Sequence, residues 1–82
     1  MSDFDRSLAK CIGGALHSCS APTRDIIAVC YRETLLASGT SEDQRVSEKW
    51  IDYIWERVRG INLAGRSSDQ IARAVFERIA KD

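Results

Sequence analysis

Cys11, His17, Cys19 and Cys30 are the side chains in the first half of this 82-residue chain that could hold a metal ion or arm a nucleophile. Their spacing argues against both. Zinc sites draw on ligands in close pairs, such as two cysteines separated by about two to four residues. The closest pair here is His17 and Cys19, and next-but-one residues on a helix project about 160° apart. A cysteine nucleophile needs an adjacent base and an activating environment. His17 is the single histidine, and it falls off the cysteine face. Cys11 and Cys30 sit in apolar stripes, where thiols stay inert. Serine chemistry would need the same base and an acid to orient it. Gly13-Gly14 lacks the rest of any phosphate-binding loop. Glu48, Asp52 and Glu56 recur every four residues along one helix face. That spacing can bind a cation, but with Arg45, Lys49 and Arg59 beside them it describes a solvated, charge-balanced surface. The expectation is a protein that is not an enzyme and carries no cofactor or metal.

The elements that carry these residues read as four helices, over roughly 3–18, 22–38, 42–59 and 68–80. In the first, Phe4, Leu8, Cys11, Ile12, Ala15 and Cys19 recur at helical spacing, with Ser2 as cap, Asp3 and Asp5 favourable at the positive end, and His17 outward. The Gly13-Gly14 pair breaks the helix, kinks it, or admits a close crossing. Ser20 or Ala21 is the expected cap of the second helix, and Pro22 suits its first turn. Ile26, Ile27, Val29, Cys30, Leu35, Leu36 and Ala37 spread round much of that helix, which makes it the most enclosed element. Glu33 falls within this arc and either reaches solvent at a rim or pairs with an arginine. Gly39 is the expected left-handed stop.

The third helix, capped at Thr40 or Ser41 with Glu42 and Asp43 in its first turn, carries half of the aromatics. Its expected inward stripe is Val46, Trp50, Tyr53, Ile54, Val58 and Ile61, with Ile51 at the edge and Trp55 on the apolar–polar boundary. Gly60 is its expected stop. Ile61 and Leu63 anchor the loop that follows. Ser67 and Gln70 make a capping box for the last helix, with Ile71, Ala72, Val75, Phe76 and Ile79 on its buried side. No alternating run suggests a strand. The expected fold is therefore a compact all-α four-helix domain, bundle-like or orthogonal, spanning 1–82 as a single domain, with helices two and three at its centre and one and four packed across them.

Composition sets the remaining limits. Hydrophobic residues make up 44% and charged residues 29% of the chain, as in a folded globular domain. Three cysteines at wide spacing do not make a disulfide framework, and neither a signal peptide nor an apolar run of about 18 residues is present. A cytoplasmic protein that does not enter a membrane is expected. The arginine bias among the basic residues hints at a bacterial or phage source. Twelve basic and twelve acidic side chains balance to a formal net charge of zero. Residues 1–56 hold a net of −3 and residues 57–82 a net of +3. That asymmetry leaves nucleic-acid association through Arg66, Arg73 and Arg78 as an alternative.

Residues 65–73, reading Gly-Arg-Ser-Ser-Asp-Gln-Ile-Ala-Arg, resemble the first helix of bacterial helix-turn-helix units, in which an Ile-Ala pair packs inside. The resemblance covers about nine residues and implies a recognition helix after them, which the sequence, ending at Asp82, does not supply. A motif built from helices two and three would instead turn Glu48, Asp52 and Glu56 toward phosphate. Protein–protein recognition fits the residue types better. Trp55 and Arg57, with Arg59, Arg66 and Arg73, are the expected partner-binding residues, because Trp, Tyr and Arg dominate binding hot spots. The expected function is a small protein-binding module, an adaptor, regulator or inhibitor of a larger bacterial or phage machine. Self-association is left open. Trp55 could instead cover a seam between helices, and Arg57 could stack on Tyr53.

Overall fold

A computed structural model of the chain describes residues 3–18, 23–40 and 43–80. They form four helices: α1 (Asp3–Ser18), α2 (Arg24–Ala37), α3 (Gln44–Val58) and α4 (Ser68–Ala80). The all-α four-helix domain is as expected, and no strand occurs among the described residues. None of these helices is long and apolar enough to cross a membrane. Cys19, Lys81, and the expected helix-start residues Ser2, Ser20, Ala21, Pro22, Ser41 and Glu42 lie outside the described residues.

The helix ends show which local signals win. At α2 the cap is Thr23, in an extended conformation, its hydroxyl accepting from the Ile26 amide at 3.3 Å. At α3 the cap is Asp43 and not Thr40, with the carboxylate accepting from the Arg45 amide at 2.8 Å. In both, the capping side chain closes the turn directly onto the first helical residues. The capping box of α4 forms as read from sequence. The Ser67 amide donates to Gln70 Oε1 at 2.9 Å, and the Gln70 amide donates to Ser67 Oγ at 3.3 Å. Gly39 takes the left-handed conformation after α2, φ +73°. The Thr40 amide reaches the Leu35 carbonyl and the Gly39 amide that of Leu36, which makes a Schellman motif. Gly60 is not left-handed; the left-handed residue of the α3–α4 connection is Gly65, φ +70°.

Packing runs round a ring. The backbone of α1 lies against α2 and α4, and that of α3 against α2 and α4, while α1–α3 and α2–α4 face each other across the diagonal. The α1–α4 seam is the most extensive, so α1 and α4 are not merely laid across a central pair. Gly13 explains how. A Cβ placed on it would stand 2.6 Å from Ala72 Cβ and 2.7 Å from Ala72 Cα and N, so α1 and α4 touch backbone to backbone. Of the three outcomes open to the glycine pair, the close crossing is the one realised, and α1 runs unbroken through it.

Into the space around this crossing go Leu8, Ile12 and Leu16 of α1, Ile27 and Tyr31 of α2, Ile51, Ile54 and Val58 of α3, Ile61 of the loop, and Ile71 and Val75 of α4. Phe4 meets the edge of Tyr31 with ring centroids 5.8 Å apart. The Thr34 hydroxyl, buried in α2, donates to the Cys30 carbonyl at 2.7 Å. Every buried side-chain nitrogen or oxygen among the described residues has a partner. Helix α2 has the largest share of buried residues of the four, as expected, although Val29 and Leu36 are exposed. Glu33 also reaches solvent.

Two helices are turned from their expected stripes. In α1 the buried line is Leu8, Ala9, Ile12, Gly13 and Leu16, with Phe4, Cys11 and Ala15 only half-buried, because the helix faces α4 through Gly13. The other is α3. Ile51 is fully buried, at 0% exposure, whereas Val46 and Trp50 are 43% and 46% exposed. Ser47, Ile51, Ile54 and Val58 form the inward line. At about 100° per residue this is a rotation of roughly 60° from the stripe expected from sequence. The physical reason is shape. Helices brought together at a glycine leave a narrow interior, which β-branched aliphatic side chains fill. Tryptophan is too large to be fully enclosed there. The rotation places Trp50 on one flank of the buried line and Trp55 on the other.

Candidate functional site

The rotation of α3 leaves an apolar ridge at the surface, exposed at Val46 and Trp50 and half-buried at Tyr53 and Arg57. Val46, Trp50, Tyr53 and Arg57 follow one another at steps of four, three and four residues, which puts them on one stripe of the helix. Trp50 and Tyr53 pack edge to face, centroids 5.5 Å apart and planes at 81°. The Arg57 guanidinium carbon stands 4.5 Å from the centre of the Tyr53 ring, a cation–π contact. Val46, Lys49, Trp50 and Tyr53 line a shallow concavity of about 440 Å³. On its other side Trp50 borders a smaller cleft of about 200 Å³, whose walls include Phe4, Leu8, Tyr31, Ile54 and Ile79. Trp50 is thus a wall between two apolar depressions.

The opposite flank of α3 is electrostatic. Arg24 of α2 reaches both Glu48 and, from Nε at 2.6 Å, Asp52 Oδ1. Arg32 Nη2 joins Glu48 Oε1 at 3.1 Å. The Arg24 guanidinium is held above its ordinary pKa, first by the hydrogen bond to Glu48 and then by that to Asp52. Because the folded value is raised, its contribution to stability is present at every pH below it and is lost only in strong alkali. Two of the three carboxylates considered from sequence as a cation site are therefore engaged by α2 arginines. Glu56 faces Arg59 at 3.8 Å within α3. Among the described residues no three His, Cys, Asp or Glu side chains converge as a ligand set. His17 is exposed, Cys11 half-buried and Cys30 buried.

The residues expected to bind a partner divide. Trp55 is half-buried and packs against the core. Arg57 is half-buried at the end of the ridge, and its stacking on Tyr53 is the intramolecular contact weighed from sequence. Arg59 is exposed beside Glu56. Arg66 and Arg78 border a groove of about 360 Å³ with Gly60, Ile61, Asn62, Ala74 and Glu77, and Arg78 donates to the Arg57 carbonyl at 3.3 Å. Arg73 is exposed on α4, outside that groove. Sequence reasoning missed Val46 and Trp50 as surface residues. The signal that could have found them is the width of the apolar arc of α3, too broad for one buried face. No family model, curated protein or solved structure matches this chain. The candidate surface rests on its geometry alone.

Proposed function

We infer that this chain is a non-enzymatic protein-binding module of a bacterial or phage cytoplasm, acting as adaptor, regulator or inhibitor, and that the α3 ridge is its binding face. The observation that carries this reading is Trp50, 46% exposed on an apolar stripe with Val46 and Tyr53. An exposed tryptophan beside tyrosine and arginine has the composition of a binding hot spot, and clustered exposed apolar surface marks interaction sites. The stack of Arg57 on Tyr53 orders both side chains in advance, which lowers the entropy lost on association. Affinity capture from the source cell with wild-type protein, Trp50→Ser and Arg57→Ala tests the reading. Proteins retained by the wild type and lost with both folded variants support it; identical capture by all three refutes it.

A second reading is nucleic-acid association through the basic half, favoured by Arg66 and Arg78 bordering one groove. It requires salt-sensitive binding to DNA or RNA that weakens when Arg66, Arg73 and Arg78 are neutralised. Absence of any mobility shift at low salt removes it.

A further inference from the structure

The ridge carries a charge pattern that its proposed role as a protein-binding face does not by itself use. Lys49 and Glu56 are both exposed and lie seven residues apart, on the same flank of the Val46–Trp50–Tyr53 stripe. Seven residues is two helical turns, so the two charges stand one above the other beside the ridge. The opposite flank of the ridge turns into the core through Ser47 and Ile54.

We propose that the occupant of this face is a second copy of the same chain, docked about a two-fold axis that passes between Trp50 and Tyr53 and sets the two α3 helices antiparallel. This rests on the reading of the ridge as a protein-binding surface and names its partner. The stripe has the alternating four–three spacing by which two helices interlock. A two-fold axis makes a contact self-complementary, each residue meeting its counterpart's partner. Antiparallel pairing about that axis places Trp50 against the second copy's Tyr53 and Val46 against the stem of its Arg57. It also brings the two charged flanks together, so that Lys49 faces the second copy's Glu56 and the reverse. A parallel pair would set each charged flank against the other copy's core-facing flank, where no countercharge lies. With a formal net charge of zero, no long-range repulsion keeps two copies apart.

The mass of the full chain in solution, measured by light scattering across a concentration series, tests this together with two charge reversals. The wild type is expected to approach twice its 9.2 kDa chain mass. Lys49→Glu and Glu56→Lys each turn both symmetry-related pairs into like charges, and each should weaken the dimer about tenfold. Mixing the two variants restores opposite charges at both pairs, so the mixture should re-form a dimer of wild-type strength, as should the double variant. A wild type that stays monomeric at millimolar concentration overturns the second copy as occupant. The wider reading of the face then stands or falls on whether Trp50→Ser abolishes capture of another protein. A dimer indifferent to both reversals, or one that mixing does not rescue, also overturns the proposal. Far-UV circular dichroism on each variant separates lost docking from lost folding.

Discussion

Replacing each half of the Gly13-Gly14 pair by alanine should move stability in opposite directions, because only one of the two glycines is part of a helix crossing. At Gly14 nothing lies within 4 Å of an added Cβ. Gly14→Ala therefore removes backbone freedom from the unfolded chain without a steric penalty, a gain of about 0.5–1 kcal/mol. At Gly13 the added carbon meets Ala72 at 2.6–2.7 Å, and two of the three atoms it meets belong to the backbone. Carbon atoms rest about 3.5–4.0 Å apart, so α1 and α4 must part by about 1 Å. A gap of that size forfeits about a quarter to a half of each dispersion contact it opens. Along this seam it loosens Leu8, Ile12 and Leu16 from Ile71 and Val75. Overpacking of cores costs about 1–3 kcal/mol. The upper end applies here, since backbone cannot rotate away. Subtracting about 1 kcal/mol of improved helix propensity leaves Gly13→Ala about 2 kcal/mol less stable than wild type. For a chain of this length each kcal/mol is worth about 4–8 °C in Tm. Thermal and urea unfolding followed by far-UV circular dichroism should place Gly14→Ala about 2–8 °C above wild type and Gly13→Ala about 8–16 °C below it. Ala72→Gly should not rescue Gly13→Ala, because Ala72 Cα and N remain in place. If Gly13→Ala unfolds at or above the wild-type midpoint, the backbone-to-backbone crossing is refuted.

The rotational setting of α3 has its own test: Ile51→Ala should lower stability by about 2–5 kcal/mol through the cavity it leaves, whereas Trp50→Ser should stay within about 1 kcal/mol of wild type, and the reverse order in urea titrations would return Trp50 to the core. Loss of the Ser67 hydroxyl in Ser67→Ala removes one half of the α4 capping box, and a drop of about 1 kcal/mol is expected; an unchanged midpoint would mean that Gln70 alone holds the end. Arg24→Ala should lower the midpoint at low ionic strength by detaching Asp52 from α2 and leaving Glu48 to Arg32 alone, and the difference should shrink in 1 M salt because the cluster is solvent-exposed; a difference that is the same at both salt concentrations would show that the side chain acts through packing instead.

Local chemistry was legible in the chain alone. The extents of α1 and α4, the capping box of Ser67 and Gln70, the left-handed stop at Gly39, the anchors Ile61 and Leu63, the outward His17 and the buried Ile71 and Val75 of α4 all follow from residue type and helical spacing. Each depends on atoms within a few residues of one another, so the sequence is sufficient. The caps Thr23 and Asp43 lie two to three residues beyond those expected, because several capping residues stood in line and only the closed turn decides among them. What the tertiary structure alone decided is how each helix is turned about its axis. In α3 the apolar residues occupy so broad an arc that several rotations bury a comparable area. The packed helices settle it with Ile51, Ile54 and Val58 inward and Trp50 half-exposed. Spacing along a chain defines a face, but the space that face must fill is set by other helices. For that reason the candidate site moved from Trp55, half-buried against the core, to Trp50 on the ridge.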